Sequence, residues 1–291
     1  MQAPTLWNPP SGTLGRIVQE TRDRVAALRT QRFALESAAR TNTPGPSFID
    51  ALASGIDVAV IAEVKRRSPS KGAINPKIDA AAQARAYRDG GARAISVLTE
   101  GAHFGGSAED LEEIRGAVAI PLLKKDFHID PLQVLEARAL RASALLLIAR
   151  ALAPNALVEM AAAAREAGIE PLIEVRDERE LATALDAGAR VIGVNSRNLE
   201  TLVIDPTVCP RILPLIPAGC LAVFESGVNS RADVEHAASL GATAVLVGSA
   251  VSAAESPRDA VRALTGVPRV ARRTRVPDGA GSMDRPSRSD G

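Results

Sequence analysis

Eight short apolar segments, separated by longer amphipathic stretches, constrain the fold of this chain more than any other feature. They are continuously apolar rather than alternating, as strands buried on both faces of a parallel sheet must be. The stretches between them have helical periodicity, so the pattern predicts repeated βα units. The predicted strands are Val58–Glu63, Ala94–Leu98, Ile120–Lys125, Ala144–Ile148, Glu170–Glu174, Val191–Asn195, Leu221–Glu225 and Ala244–Val247.

Eight such units predict an α/β fold, a single (β/α)₈ barrel of the TIM type. Gly91, Gly188 and Gly241 each stand before an alanine and a predicted strand, where a glycine commonly ends a helix. A doubly wound open sheet is the structural alternative. It usually has fewer strands and a Gly-rich phosphate loop after the first strand, and the sequence has no such loop.

Composition divides the chain into three parts. Residues 48–268 form the predicted barrel, and residues 1–47 form a helical extension and linker, with an amphipathic helix at Leu14–Ala39 and a Pro/Gly linker at Thr41–Ser47. Residues 269–291 are rich in Arg, Asp, Ser, Gly and Pro, and we expect a disordered tail there.

The charge balance argues against polyanionic partners. Across 291 residues the formal net charge is +1, which provides no long-range field for nucleic acid or an anionic membrane. The two cysteines are too few for a disulfide framework, and neither a signal peptide nor a membrane-spanning segment is recognisable. We expect a cytoplasmic protein that binds a small molecule, without nucleic-acid or membrane partners.

The predicted strands end in an unusual set of polar and ionisable residues. In a (β/α)₈ barrel these ends meet at one rim, where the catalytic groups lie. Lysine is also scarce in the chain, and an ammonium group can have its pKa lowered by burial where a guanidinium cannot. The residues at these ends are Glu63, Lys65, Lys125, Glu174, Asn195, Arg197 and Glu225.

Two short Gly/Ser segments follow the last two predicted strands. Ser226 and Gly227 come after the seventh strand, and Gly248 and Ser249 come after the eighth. Glycine allows close approach of the backbone, and barrel enzymes often bind phosphate at this position. The pair of segments predicts a phosphate site.

Several longer motifs resemble those of one enzyme family. The stretch Ile61–Gly72 is similar to the signature of the indole-3-glycerol phosphate synthases, and the resemblance extends from Leu14 to Leu264. Further matching motifs, in order, are Ser96–Glu100, Phe104–Ser107, Leu123–Phe127, Leu172–Val175, Gly193–Leu199 and Glu225–Gly227.

The resemblance implies a carbon-carbon lyase of tryptophan biosynthesis. Such an enzyme converts 1-(2-carboxyphenylamino)-1-deoxyribulose 5-phosphate into indole-3-glycerol phosphate with loss of carbon dioxide and water, and needs no metal or organic cofactor. By the same resemblance Lys125 donates a proton to the sugar carbonyl, and Glu174 exchanges protons in the later dehydration. Lys65 beside Glu63 holds anionic groups of the substrate and is a second candidate acid, so the division of proton transfers between the two lysines stays open. Asn195 completes the catalytic set.

The remaining roles also follow from the resemblance. Arg197 and Glu225, together with Asn195, orient substrate hydroxyl and carboxylate groups. The implied binding set comprises Ser226, Gly227, Gly248 and Ser249 at the phosphate, Ser68 in the first βα loop, and Phe104, Phe127 and Leu199 at the anthranilate ring. We further expect neighbouring groups and a dry pocket to depress the pKa of Lys125, and the ring pocket to be mostly aliphatic because aromatic residues make up only 2% of the chain.

Two alternatives stay open at the level of sequence. The first alternative is another sugar-phosphate barrel enzyme, either an isomerase or an aldolase. An aldolase would form a covalent Schiff base through Lys125, whereas ring closure requires no covalent intermediate. A catalytically silent scaffold barrel is the other, although a scaffold has no need of Lys65, Lys125 and Glu174 together at one rim. For assembly, we expect a monomer or weak homo-oligomer, and association with other tryptophan-pathway enzymes.

Overall fold

The computed structural model describes residues 7–272 and contains a closed barrel of eight parallel strands. Each strand pairs with its neighbours in chain order, and β1 closes the barrel against β8. The (β/α)₈ prediction is therefore confirmed. The strands are β1 (Ala59–Val64), β2 (Ala94–Leu98), β3 (Leu122–Lys125), β4 (Ala144–Ile148), β5 (Glu170–Val175), β6 (Val191–Asn195), β7 (Leu221–Glu225) and β8 (Ala244–Val247).

Helices surround the barrel and cover its top. Short 3₁₀ turns follow α1, β4 and α10. The loop after β1 contains a small antiparallel hairpin, whose strands Arg67–Ser68 and Gly72–Ala73 have two residues each. None of the described helices is both long and apolar enough to cross a bilayer. The helices are α1 (Gly12–Leu28), α2 (Arg32–Thr41), α3 (Phe48–Ala53), α4 (Ala80–Gly90), α5 (Gly101–Phe104), α6 (Ala108–Ala117), α7 (Pro131–Ala139), α8 (Pro154–Glu166), α9 (Glu178–Asp186), α10 (Val208–Ile212), α11 (Arg231–Ser239), α12 (Ser249–Ser252) and α13 (Pro257–Arg262).

Local capping chemistry explains several of the boundaries. Gly91 ends α4 in a left-handed conformation with φ of 101°, as expected for a helix C-cap. At the start of α6, Ser107 and Asp110 form a reciprocal capping box. Gly91 stops α4 before the chain turns into β2, and the capping box begins α6 after the loop that follows β2.

Alternation along the strands separates two apolar cores. Residues such as Ile61 and Leu123 face the barrel interior, whereas their neighbours Val60 and Leu122 pack between the sheet and the outer helices. Both faces of the sheet are therefore buried, which accounts for the continuous apolar runs in the sequence.

The N-terminal extension differs from the single helix predicted at Leu14–Ala39. It consists of α1 and α2, with a 3₁₀ turn between them. The apolar face of α1 packs over the top of the barrel, while α2 packs against α7 on its side. One straight helix does not reach both surfaces, so the chain bends at residues 29–31.

The lower end of the barrel is closed by α3 and by the segment after α13. Phe48 and Leu52 of α3 belong to the interior core, and Arg269 donates hydrogen bonds to the carbonyls of Ala53 and Ser54, at 3.0 and 3.1 Å. Arg272 likewise donates to Gly241 O at 3.0 Å. The expected disordered tail lies, from residue 273 onward, outside the described residues.

Phe48 provides a test of this closure. It is 1% exposed at the base of the barrel interior, so Phe48→Ala is expected to lower the free energy of unfolding by about 3–5 kcal/mol through lost burial and a residual cavity. The measurement is chemical denaturation followed by circular dichroism. Phe33→Ala, at a site 80% exposed, is the control and should change stability by less than about 0.5 kcal/mol; equal effects of the two variants would contradict this closure.

Candidate active site

The fifteen site residues predicted from sequence all line one cavity at the C-terminal ends of the strands. The roof of the cavity is formed by Thr13 and Ile17 of α1, and one side is formed by the loop after β1. The predicted residues are Glu63, Lys65, Ser68, Phe104, Lys125, Phe127, Glu174, Asn195, Arg197, Leu199, Glu225, Ser226, Gly227, Gly248 and Ser249.

Strand alternation directs the ionisable side chains inward. Because successive residues point to opposite faces, a charged residue two positions after an interior apolar residue enters the same cavity. Leu123 is followed in this way by Lys125, and Leu172 by Glu174. Lys124, between Leu123 and Lys125, points outward instead, where its Nζ lies 3.0 Å from Glu136 Oε2.

The centre of the cavity is a cluster of two lysines and three glutamates. Lys125 Nζ lies 3.6 Å from Glu174 Oε2 and 3.7 Å from Glu225 Oε2. Lys65 forms an ion pair with Glu63, whose Oε2 also accepts a hydrogen bond from Ser96 Oγ at 3.2 Å. All three glutamates are buried, so two ammonium groups compensate three acids in a region with little water.

The expectation of a depressed Lys125 pKa is wrong. Burial lowers the pKa of this ammonium, but the nearby carboxylates of Glu225, Glu174 and Glu63 raise it by more, and the result lies above the ordinary lysine value. The sequence argument expected neighbouring groups to depress the pKa together with burial, and it missed the number of acids that converge from other strands. Lys125 is therefore a fixed cation in the ligand-free site.

The acids of the cluster differ in their protonation. Burial raises the pKa of Glu63, but Lys65 and Lys125 lower it by more, so this carboxyl stays ionised. For Glu225, burial and the negative charges of Glu174 and Glu63 outweigh the attraction of Lys125 and raise the pKa to about 8. The cluster therefore holds an exchangeable proton near neutral pH.

Two glycines make room for this cluster. A Cβ at Gly193 would overlap Glu225 Oε1, and a Cβ at Gly248 would lie 2.5 Å from Glu63 Oε1 and 2.9 Å from Lys65 Nζ. Both positions therefore need a residue without a side chain so that the carboxylates can sit against the backbone.

The end of β1 is held by a buried hydroxyl network. Ser252 Oγ donates to Glu63 O at 2.8 Å and accepts from Lys65 N at 3.1 Å. Tyr87 Oη also donates to Glu63 O at 3.2 Å, and it accepts from Gln83 Nε2 at 2.9 Å. These contacts fix the backbone on both sides of the Glu63–Lys65 pair, and they involve residues that sequence reasoning did not single out.

The Gly/Ser loops after β7 and β8 lie on one side of the cavity. Ser226 and Gly227 both have left-handed backbone conformations, with φ of 66° and 87°. Ser226 Oγ donates to Asn195 Oδ1 at 2.7 Å, which holds the loop against the end of β6. Consecutive residues of this kind leave backbone N–H groups free to face an anion.

Apolar side chains form much of the remaining lining. Phe104 and Phe127 face each other with ring centroids 6.1 Å apart, and Leu199 packs with them in the upper core. The other apolar lining residues are aliphatic, as the low aromatic content predicts: Ile17, Leu98, Leu146, Ile148, Leu202, Ile204, Val228 and Leu246. Several of these were not named from sequence, although the same strand alternation identifies Leu98, Leu146 and Leu246.

A second charge network fastens α1 to the barrel beside Lys125. Arg24 donates to both oxygens of Asp126, at 2.8 and 3.2 Å, and Thr99 Oγ1 donates to Asp126 at 2.7 Å. His128, in the loop after β3, is buried, with Nδ1 2.7 Å from Leu146 O. Burial and Lys124 lower the pKa of His128 to about 3, so it is neutral.

Comparisons with known proteins point to one enzyme family. A family model described as indole-3-glycerol phosphate synthase matches residues 14–264. An indole-3-glycerol phosphate synthase of Mycobacteroides abscessus is 47% identical over 240 residues, covering 82% of this chain and 86% of the relative. The indole-3-glycerol phosphate synthase 2 of Streptomyces coelicolor is 45% identical over 259 residues, covering 88% of this chain and 100% of the relative.

Solved structures show likeness in fold alone. The thiamine phosphate pyrophosphorylase of Pyrococcus furiosus superposes with a TM-score of 0.55 at 18% identity, covering 71% of this chain and 93% of that one. The function is therefore read from the site and from the sequence relatives. By the family match and by these identities, the chain belongs to the indole-3-glycerol phosphate synthase family.

Proposed function

We propose that this barrel closes the indole ring on 1-(2-carboxyphenylamino)-1-deoxyribulose 5-phosphate, with release of carbon dioxide and water. The observation that carries the proposal is the cluster of Lys65, Lys125 and Glu174 in one cavity with the loops after β7 and β8. A phosphate at those loops places the sugar carbonyl toward the cluster, and the anthranilate ring toward Phe104 and Phe127.

Lys125 supplies the first catalytic contribution. Negative charge develops on the carbonyl oxygen as the ring carbon attacks it, and a cation already in place stabilises that charge without reorganisation. Its raised pKa keeps the ammonium form available in the free site, and the proton passes to the oxygen as the oxygen becomes basic.

Glu174 acts in the later steps. Its Oε2 has no hydrogen-bond partner among the described residues, although the side chain is buried, and its closest cation is Lys125. A buried carboxylate oxygen without a hydrogen bond is costly in a ligand-free protein, and here it is free to take the proton released during dehydration and rearomatisation.

Lys65 and Glu63 act as a pair. The ammonium of Lys65 holds the anionic groups of the substrate, and Glu63 keeps it oriented. Asn195, Arg197 and Glu225 orient the substrate hydroxyl and carboxylate groups from β6 and β7, and Ser68 contributes from the first loop. The phosphate contacts the backbone at Ser226, Gly227, Gly248 and Ser249.

Cellular context follows from the same proposal. We expect the chain to act in the cytoplasm, where the intermediates of tryptophan biosynthesis are made. It is expected to be a monomer or weak homo-oligomer and to associate with other enzymes of that pathway. Size-exclusion chromatography with light scattering tests the oligomeric state directly.

Lys125→Met tests the central role. Methionine removes the proton donor and the positive charge, so turnover is expected to fall below about one thousandth of the wild-type value, while circular dichroism reports an intact barrel. The measurement is the appearance of indole fluorescence when purified protein is mixed with the substrate. Lys77→Met, at an exposed lysine, is the control; a Lys125→Met variant with full activity would refute the role.

Gly248→Ala tests the close packing at the end of β8. The added methyl group would displace the Glu63–Lys65 pair, so kcat/KM is expected to fall by about tenfold or more, equivalent to about 1.4 kcal/mol of transition-state stabilisation. Gly116→Ala in α6 meets no atom within 4 Å and should leave kcat/KM unchanged. Wild-type kinetics for Gly248→Ala would show that the pair does not depend on this contact.

A further inference from the structure

A second cavity adjoins the active site and shares a wall with it. Their common lining residues are Ile148, Glu174, Asn195, Arg197 and Leu199. Beyond this wall the second cavity is lined by the loop after β4, the start of α9 and the loop after β6, with Leu14 of α1 at its edge. Glu174 therefore contacts both spaces.

Charged side chains line most of the second cavity. Three guanidinium groups face four carboxyl groups there: Arg150, Arg176 and Arg197, with Glu174, Asp177, Glu180 and Glu200. Arg150 pairs with Glu200 at 2.9 Å, and Arg176 lies 3.9 Å from Asp205. Glu180 and Asp177 make no ion pair with any described residue, so the excess acid of the cavity lies at the start of α9.

Glu180 is suited to carry a proton near neutral pH. Its Oε2 accepts a hydrogen bond from Arg176 N at 2.7 Å. Burial, with the negative charges of Asp177 and Glu174, raises its pKa to about 7, against the backbone hydrogen bond and the positive charge of Arg150. Both protonation states are therefore populated under physiological conditions.

The chemistry of ring closure requires such a carrier. In the proposed reaction the substrate carboxylate leaves as neutral carbon dioxide, and the carbonyl oxygen leaves as water. Each turnover therefore consumes one proton from solvent. In the proposed reaction the substrate occupies the main cavity beneath Thr13 and Ile17 of α1, and a filled cavity leaves no route there for that proton.

We propose that the second cavity is the proton entry of this enzyme, with Glu180 passing protons from solvent to Glu174 and on to Lys125. This inference rests on the proposed function. The Lys125 N–H bond breaks as the carbonyl O–H bond forms, which leaves a neutral amine. The Glu174 carboxylate takes a proton from Glu180 through the solvent of the cavity and gives it to that amine, 3.6 Å away, and Glu180 regains a proton from bulk water.

A purely structural role for Glu180 makes a different prediction. Asp177 Oδ1 accepts from Glu180 N at 2.9 Å, so Glu180 belongs to the hydrogen-bonded cap of α9. A glutamine at position 180 keeps an oxygen for Arg176 N and preserves this cap, but it cannot release a proton. Glu180→Gln therefore separates proton delivery from capping.

The experiment compares Glu180→Gln and Glu180→Asp with Glu178→Gln. Glu178 is exposed on the same helix, pairs with Arg211 and does not line the cavity. Steady-state indole fluorescence gives kcat and KM in dilute buffer, with increasing imidazole, and in heavy water. The thermal unfolding temperature of each variant shows whether the cap of α9 is intact.

For Glu180→Gln we expect kcat to fall about tenfold or more with KM within about twofold, a larger solvent isotope effect, and recovery of kcat as imidazole supplies the proton. Glu180→Asp and Glu178→Gln should remain near wild type. A Glu180→Gln variant with wild-type kcat, or one whose loss of kcat is insensitive to imidazole and heavy water, would overturn the proposal. A wild-type chain that forms no indole product would instead overturn the proposed function.

Discussion

The buried attraction between Lys125 and the glutamates around it organises the whole upper half of this barrel. Three carboxyl groups arrive from β1, β5 and β7, and the ammonium arrives from β3. Burial of any one of these groups alone would be unfavourable, because a desolvated charge without a partner costs several kcal/mol. Together the four groups are tolerated, and a proton on Glu225 neutralises the excess negative charge of the cluster.

The scaffold keeps this arrangement in place from three directions. Ser252 and Tyr87 fix the end of β1 through hydrogen bonds to the backbone carbonyl of Glu63. The bidentate contact of Arg24 with Asp126 ties α1 to the residue that follows Lys125. The second cavity meets the cluster from the side through Glu174. Each of these contacts acts on the backbone or side chain next to a catalytic group, so the geometry of the site depends on the extension as well as on the barrel.

The strands and the membership of the cavity could be predicted from sequence for a physical reason. Parallel strands buried on both faces give continuous apolar runs, and the carboxyl ends of such strands must converge in a closed barrel. Lys125 and Glu174 therefore belong to one site even though they are far apart in the chain. Alternation along β3 also separates Lys125 from Lys124, which is held outside the barrel by Glu136.

What the sequence could not supply was the balance of charges in three dimensions. The sign of the Lys125 pKa shift depends on how many acids lie close to Nζ, and those acids come from three other strands. The division of the extension into α1 and α2, and the partners of His128, depend in the same way on long-range packing. The sequence analysis expected a dry pocket, but not that its carboxylates outweigh the effect of burial on the pKa of Lys125.

The pKa of the Lys125 ammonium is the most direct test of this account. The chain has only five lysines, so carbon-labelled lysine gives few Cε signals in a magnetic resonance titration, and Lys125→Met assigns the one of interest. The account predicts that Lys125 stays protonated above pH about 10.4, the ordinary pKa of a lysine ammonium. A Lys125 signal that titrates below that value would contradict it.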